Sequence, residues 1–276
     1  MGFRIGTNVE SLSAQRTLGA QRREQNHELE RLSSGERIVR AADDAAGLAI
    51  SEKFKAEIRS TRQAHRNTQD AVSLVQVAEG GLNEVGNMLI RMRELSIQAA
   101  SDTIGDKERS FVDREVQSLK DEINRIAKST QFNGTDLLSG EGKSLVFQVG
   151  TGPKEDRDQV KFDTEHFDST ISRLGIEGIK TESREDAQEN LTRLDEAIAT
   201  VAGHRATFGA LQNRLQSTMN NLQVSDENLS AANSRIRDAD IAQESAELVK
   251  RNILTQAGTA TLAQANQSGA LALRLI

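Results

Sequence analysis

The sequence contains no cysteine, tryptophan or tyrosine, and only one proline among its 276 residues. The lack of cysteine excludes disulfides, thiolate metal sites and cysteine nucleophiles. Aromatic residues make up only 3% of the chain, which argues against a buried small-molecule site because such sites are usually lined with aromatic side chains. With almost no proline to interrupt a helix, the composition predicts a mainly α protein built from long helices.

The chain also lacks the features that direct a protein to a membrane or to nucleic acid. It has no run of about 18 apolar residues, and its first residues lack the apolar block of a secretory signal. The formal net charge of −6 gives no reason to propose nucleic acid or an acidic membrane as a partner. We therefore expect no nucleic acid and no membrane partner, and a chain that stays inside the cell or leaves it uncleaved.

The strongest periodic pattern covers residues 194–236, where every seventh residue is large and apolar. The residues are Leu194, Val201, Phe208, Leu215, Leu222, Leu229 and Ile236. A heptad repeat of this kind predicts a long helix with an apolar seam. The companion row is weaker, since it contains His204 and Thr218. We therefore expect this helix to lie among several neighbours from the same chain.

Two further segments supply matching seams. Residues 75–99 alternate gaps of 3 and 4 between apolar positions, and so do residues 112–126. The pattern predicts a coiled-coil rod domain at 45–235, with helices at about 45–100, 106–128 and 185–235. Its predicted core residues are Val75, Leu82, Leu89, Val116, Leu119, Ile123, Val201, Phe208, Leu215, Leu222 and Leu229.

Between the second and third rod helices the pattern changes to period two. Residues 144–149 and 159–163 alternate apolar and polar positions around a Gly-rich turn, which predicts a small β-hairpin at about 144–163. Residues 131–135 (QFNGT) predict a turn, and 163–183 an irregular segment.

The two ends of the chain form a separate case. A helix beginning after Thr7-Asn8 has few apolar positions, and residues 252–276 carry a single charge, Arg274. Neither end could bury a useful face alone, so we expect 1–44 and 236–276 to pair as helices and to become ordered in an assembly. The residues expected in axial packing are Leu12, Leu18, Ile253, Leu254 and Leu262.

No constellation for catalysis, cofactor binding or metal binding is evident. Asp43 and Asp44 could serve as an acid/base pair or a cation site, but without a nearby histidine or third ligand a capping or intersubunit role is favoured. The four histidines have no metal-binding spacing, and His65 and His204 are expected beside helix seams. We predict that the protein is not an enzyme and has no cofactor.

Several motifs resemble those of one known family. The runs LSSGERI at 32–38 and AADDAAGLAIS at 41–51 resemble the N-terminal signature of bacterial flagellin. RNTQD at 66–70 and TQFNG at 130–134 are similar to further landmarks of that family, as are NILTQAG at 252–258 and LAQAN at 262–266. The motifs occur in the order that the family has.

The resemblance implies a structural subunit that self-assembles into the extracellular helical filament used for swimming, secreted uncleaved through the flagellar type III apparatus. It implies an outer tube of rod helices with a hairpin, and an inner coiled coil formed by the paired chain ends. Implied partners are further copies of the chain, an export chaperone, and hook-associated and cap proteins. Residues 139–186 leave room for little beyond the hairpin, which indicates a minimal form without large variable outer domains.

In many flagellins a rod surface is recognised by a host Toll-like receptor, and local alignment matches Arg91, Leu95 and Glu115 to that surface. The alternative role for these residues is as solvated rod positions that contact neighbouring subunits. Two other functions stay open at this point: a hook-filament junction protein with flagellin-like ends, and a secreted helical receptor ligand or adhesin.

Overall fold

The computed structural model describes residues 7–274, with side chains as far as residue 267. Helices dominate it, and the extended segments are two short antiparallel strand pairs. The elements are α1 (Val9–Ser34), α2 (Ala45–Ala99), α3 (Asp106–Ser129), β1 (Gln131–Phe132), β2 (Thr135–Asp136), β3 (Leu145–Gln148), α4 (Glu155–Asp158), β4 (Gln159–Phe162), a 3-10 helix (Thr164–Phe167), α5 (Arg184–Arg237) and α6 (Ile241–Arg274). The predicted mainly α fold with one small hairpin is therefore confirmed.

Local capping chemistry fixes the ends of these helices. The Asn8 side chain accepts a hydrogen bond from the Ser11 N–H and starts α1, as the sequence predicted. Gly35, with φ of 71°, ends α1 in the left-handed conformation that glycine adopts at no steric cost. Ser183 starts α5, because its hydroxyl accepts from the Asp186 N–H and donates to the Asp186 carboxylate.

The chain divides into two compact units. The terminal unit comprises the chain up to Ile58 and from Glu227 onwards, and the central unit is Arg59–Asp226. Both divisions lie within long helices, α2 and α5. The domain limits of 44 and 235 expected from the sequence lie at helix ends and stay a prediction.

The central unit contains a continuous apolar core from α2, α3 and α5 together with the hairpin region. Three phenylalanines meet at its centre: the Phe167 ring lies 4.5 Å from Phe208 and 5.2 Å from Phe162, centroid to centroid. Of the predicted core residues, Leu119 is half-buried, and the following are at most 2% exposed: Val75, Leu82, Leu89, Val116, Ile123, Val201, Phe208 and Leu215.

The buried row of α5 stops earlier than the heptad pattern suggested. Leu222 and Leu229 are half-buried, although the sequence placed both in the core. α3 does not cover this part of α5: it ends at Ser129, and the next residue, Thr130, already packs beside Gly81 of α2. Nothing from α3 therefore extends along α5 as far as Leu222.

The predicted hairpin is present, as the antiparallel pair β3–β4. Leu145 pairs with Phe162 and Gln148 with Gln159 in an antiparallel register. The QFNGT turn is itself a second, two-residue hairpin, since β1 and β2 pair around Asn133-Gly134, whose φ angles are 49° and 76°. Positive φ at both positions is what a type I′ turn requires and what Asn-Gly supplies.

The segment between β4 and α5 is irregular, as expected, but it belongs to the core. Ile176 and Ile179 are fully buried. Polar side chains of α3 bind its backbone: Gln117 donates to the Ile179 carbonyl at 3.0 Å, and the Thr181 N–H donates to Asp113 at 2.7 Å. These bonds satisfy backbone groups that lie outside regular secondary structure.

Candidate functional site

The candidate site is the terminal unit, where α1 and α6 pack along each other. Residues at the start of α1 contact residues near the end of α6, and residues at the end of α1 contact the start of α6, so the two helices are antiparallel. The contacts are Asn8 Nδ2 to the Ala265 carbonyl (2.8 Å), Ser11 Oγ to Asn266 Oδ1 (2.8 Å), Gln25 Nε2 to Asn252 Oδ1 (2.7 Å), and Arg31 Nη1 to Glu244 Oε1 (3.6 Å).

A leucine and a glycine make the closest apolar contact of this pair. Leu18 of α1 is 8% exposed, and a Cβ built on Gly258 of α6 would lie 3.3 Å from Leu18 Cδ1. Without a side chain at this position, Leu18 packs directly over the α6 backbone. The NILTQAG motif that ends in Gly258 therefore contributes a packing surface.

The other residues expected in axial packing lie mostly outside this contact. Leu12 is 57% exposed, Ile253 60% and Leu254 41%, while Leu262 is half-buried. Further large apolar side chains of the terminal unit are also exposed: Val9, Leu29, Ile50, Ile241 and Val249. The structure thus brings Leu18 into the pair and leaves the remaining candidates available to another molecule.

A groove of about 420 Å³ runs between the two helices beside Leu18. Small side chains, including Ser13, Ala14 and Thr17, line it on α1, and Leu254 and Gly258 line it on α6. The polar side chains of Gln21 and Thr261 also line the groove, and Glu10 is the charged residue among its lining residues.

The LSSGERI motif joins the two halves of the terminal unit. The Arg37 N–H donates to the Arg237 carbonyl at 2.6 Å, and the Ala239 N–H donates to the Gly35 carbonyl at 2.9 Å. Arg237 also bridges two carboxylates, Glu36 (2.9 Å) and Glu52. The pKa of Arg237 is raised above its ordinary value, mainly by the hydrogen bond to Glu36 and next by the hydrogen bond to Glu52.

The AADDAAGL motif builds the start of α2. Asp44 Oδ1 accepts from the Gly47 N–H at 2.8 Å, which is the capping role preferred from the sequence. Position 47 requires glycine, because the Cβ of any other residue would lie 2.4 Å from Asp44 Oδ2 and 2.8 Å from Ile38 Cδ1.

Asp43 has a different role, and here the sequence reasoning missed a residue. His27 lies 3.0 Å from Asp43 Oδ1, so the expectation that no histidine is near the aspartates was wrong. The loop brings together residues 16 positions apart, which local spacing could not indicate. Burial acts to raise the pKa of Asp43, but hydrogen bonds from Arg40, Val39 and His27 outweigh it and lower that pKa.

Comparison with known families bears directly on this arrangement. The model of the bacterial flagellin N-terminal helical region matches residues 5–143, and that of the bacterial flagellin C-terminal helical region matches residues 191–276. The chain belongs to the bacterial flagellin family. The two matches contain the α1 and α6 residues that form the terminal pair.

The sequences of individual flagellins align with this chain over its full length. The flagellin of Halalkalibacterium halodurans is 42% identical over 272 residues, covering 99% of both chains. That of Bacillus subtilis is 40% identical over 303 residues, and the flagellar filament 33 kDa core protein of Treponema phagedenis 41% over 288, each covering 99% of this chain.

Solved structures show the same fold. The crystal structure of Bacillus cereus flagellin is 34% identical, with a TM-score of 0.52, and covers 61% of this chain and 94% of its own. A putative flagellar hook-associated protein from Vibrio parahaemolyticus has a TM-score of 0.58 over 71% of this chain at 17% identity, a likeness of fold alone. Between α3 and α5 this flagellin has two short hairpins, β1–β2 and β3–β4, and no large inserted domain, which makes it a minimal form.

The three residues matched to the Toll-like receptor surface differ in exposure. Arg91 and Glu115 are exposed and joined by an ion pair of 3.0 Å between Nη2 and Oε1, and Arg91 also contacts Glu94 at 3.1 Å. Leu95, however, is only 2% exposed and belongs to the core of the central unit. Leu95 is buried because it lies in the 3-4 seam of α2, and the match of this surface to the receptor stays a prediction.

Two further features of the described part of the chain bear on metal binding and membrane insertion. Within residues 7–274, no cluster of three or more His, Asp or Glu side chains is placed to hold a metal ion. None of the helices in that range has a stretch long and apolar enough to cross a membrane. The flagellin family is one of structural proteins.

Proposed function

We propose that this flagellin is the structural subunit of an extracellular flagellar filament, and that its paired terminal helices make the contact through which subunits join. The observation that carries the proposal is the exposure of large apolar side chains on both helices of the α1–α6 pair, with Leu12 57% and Ile253 60% exposed. A contact that repeats head to tail without closing generates a helical polymer. The relatives named as flagellins and filament core proteins support the same function.

The free energy gained by burying apolar side chains supports this use of the exposed residues. Burying a large aliphatic side chain contributes about 1.5–3 kcal/mol, and several such side chains lie on this surface. Burial against further copies of the chain would recover that free energy. The same free energy would offset the cost of ordering two helices that have little core of their own.

Secretion and the remaining partners belong to the same proposal. Uncleaved export through the flagellar type III apparatus, an export chaperone, and hook-associated and cap proteins are implied by family membership. Neither a junction protein nor a receptor ligand gains support from the relatives of high identity, which are named flagellins or filament core proteins.

Seeded polymerisation of the purified full-length chain tests the proposal. We expect long tubes of constant diameter by electron microscopy. The double variant Leu12→Ser/Ile253→Ser should need a far higher protein concentration to polymerise, whereas Val224→Ser, which removes an equally exposed apolar side chain from the central unit, should have the smaller effect. Absence of tubes from the unaltered chain, or equal polymerisation of the double variant, would contradict the proposal.

Limited proteolysis tests the ordering of the ends. We expect monomers to be cut within residues 7–34 and 241–274 much faster than polymers, because assembly covers both helices. Equal rates of cleavage in monomer and polymer would show that order at the ends does not depend on assembly.

A further inference from the structure

Two buried carboxyl side chains lie within hydrogen-bond reach of each other inside the terminal pair, Glu28 from α1 and Glu244 from α6. Glu28 is 6% exposed and Glu244 8%, although glutamate is rarely buried without a partner. Glu28 Oε2 is buried and has no hydrogen-bond donor among the described residues. A buried ionised oxygen without a donor is costly, so this arrangement requires an explanation.

The neighbouring cations only partly compensate the two carboxylates. From α1, Arg31 Nη1 approaches Glu244 Oε1 at 3.6 Å, beyond hydrogen-bond distance, and Arg31 Nε is buried without a partner in the described range. From α6, Arg251 uses Nη1 to donate to Gln21 at 3.2 Å, and its Nε lies 4.0 Å from Glu247. The histidine of this region, His27, faces Asp43.

One proton would satisfy the carboxyl pair. Two ionised carboxylates offer acceptors and no donor, whereas a carboxyl and a carboxylate form a short charge-assisted hydrogen bond. The side-chain hydrogen bond with Glu244 raises the pKa of Glu28, as do burial and the charge of Glu244, while Arg31 and Arg251 oppose the rise.

We infer that Glu28 and Glu244 form a shared-proton site that tightens the pairing of α1 with α6 as the pH falls, and that it thereby regulates assembly. The inference rests on the proposed function, since it concerns the same helix pair. A carboxyl whose pKa is higher in the paired state takes up a proton on pairing. Its contribution is fully present below the ordinary pKa of 4.5 and is lost as the pH rises through the raised value.

The experiment measures the critical concentration for polymerisation of the full-length chain from the ordinary glutamate pKa of 4.5 up to about pH 8. Uptake of one proton per subunit lowers the critical concentration by up to about tenfold per pH unit. Glu28→Gln supplies an N–H donor to Glu244 at every pH, so we expect a flatter dependence and a lower critical concentration at the alkaline end. Glu24→Gln, the same change one turn earlier at an exposed position, should keep the slope of the unaltered chain.

Glu244→Gln provides a second variant in case the first does not fold, and it should flatten the slope as well. The inference is overturned if both variants keep the original slope, or if both lose assembly while Glu24→Gln retains it, because a permanent donor should strengthen pairing. Failure of the unaltered chain to polymerise at any pH would instead contradict the proposed function.

Discussion

The two units of this flagellin bury different kinds of side chain. The central unit encloses large apolar residues such as Leu82, Leu89 and Phe208, all fully buried. In the described part of the terminal unit, the buried apolar residues are Leu18, Ile38, Ile58 and Ala265, and they share the interior with Glu28 and Glu244.

The difference lies in how many elements cover each surface. In the central unit α2 has α3, α5 and the hairpin region around it, so a row of leucines can be closed on every side. In the terminal unit α1 has α6 along its length, and two helices can enclose only a narrow seam. The central unit is therefore expected to be stable by itself, whereas the terminal unit exposes an apolar surface that another molecule must cover.

Replacing a leucine by alanine in each unit is the strongest test of this difference. Leu82→Ala should lower the free energy of unfolding of the monomer by about 2–5 kcal/mol, because it leaves a cavity in a closed core. Leu18→Ala should cost the monomer much less, since water can enter the open groove beside it. Urea unfolding of monomers, followed by circular dichroism, measures both. Equal losses would remove the distinction between the units.

A matched pair of glycines sharpens the comparison at the level of backbone packing. In Gly81→Ala the new Cβ would lie 2.7 Å from Thr130 Oγ1 and 2.9 Å from Leu138 Cδ1, which are held in the core, so we expect a loss of about 1–3 kcal/mol. In Gly258→Ala the contact is Leu18 Cδ1 at 3.3 Å, which can shift toward the groove.

The gain in helix propensity, up to about 1 kcal/mol, should therefore decide the outcome for Gly258→Ala and leave it neutral or stabilising. Gly80→Ala is the control for α2, because nothing lies within 4 Å of its added Cβ and it should likewise gain. Thermal unfolding of the three variants gives the order. A stabilised Gly81→Ala would mean that the close approach at this position tolerates a methyl group.

A smaller effect is expected where the α5 seam leaves the core. Leu222→Ala should cost about 1 kcal/mol or less, since this side chain is already half-exposed, whereas Leu215→Ala, fully buried one heptad earlier, should cost several times more. The same unfolding experiment compares the two. Similar costs at both positions would restore the uninterrupted seam that the heptad pattern suggested.

Leu222 also shows how far the sequence could predict the fold. Heptad spacing identifies the face of a helix that can be buried, and it correctly located the seams of α2, α3 and α5. Heptad spacing does not indicate whether another element covers that face, and at Leu222 α3 does not, because it ends earlier. The Asn133-Gly134 pair, in contrast, carried a local signal for a two-residue hairpin that a closer reading could have used.

The contacts of the candidate site were less accessible from sequence. The leucines and isoleucines of the terminal helices stood out as apolar residues in weak helices, but Glu28 and Glu244 are 216 positions apart and each resembles an ordinary surface glutamate. Only the antiparallel register of α1 and α6 brings them together. The LSSGERI and AADDAAGL motifs identified the family. The local spacing of AADDAAGL also indicated the cap of α2, whereas the bridge from LSSGERI to Arg237 joins residues that are about 200 positions apart and could not be read from local spacing.

Acid should shift the two units in opposite directions, although the effect is the smallest of those considered. Burial lowers the pKa of His204 in the central unit, and the charges of His166 and Arg173 add to this while Asp168 opposes it. A histidine that is harder to protonate when folded costs stability as the pH falls through its ordinary pKa of 6.5. His204 lies against Phe167 at 5.6 Å and close to Ser169 Oγ, so protonation would place a charge beside the aromatic cluster.

We therefore expect the central unit to unfold more easily at about pH 5.5 than at about pH 7.5, while the α1–α6 pair becomes tighter as the pH falls toward the ordinary glutamate pKa of 4.5. His204→Gln should remove part of the acid sensitivity of the central unit and leave the terminal pair unchanged. Hydrogen exchange on the polymer, corrected for the intrinsic pH dependence of exchange, reports on both units in one sample. Parallel changes in the two units would mean that a general charge effect, rather than His204 and the Glu28–Glu244 pair, governs the response to pH.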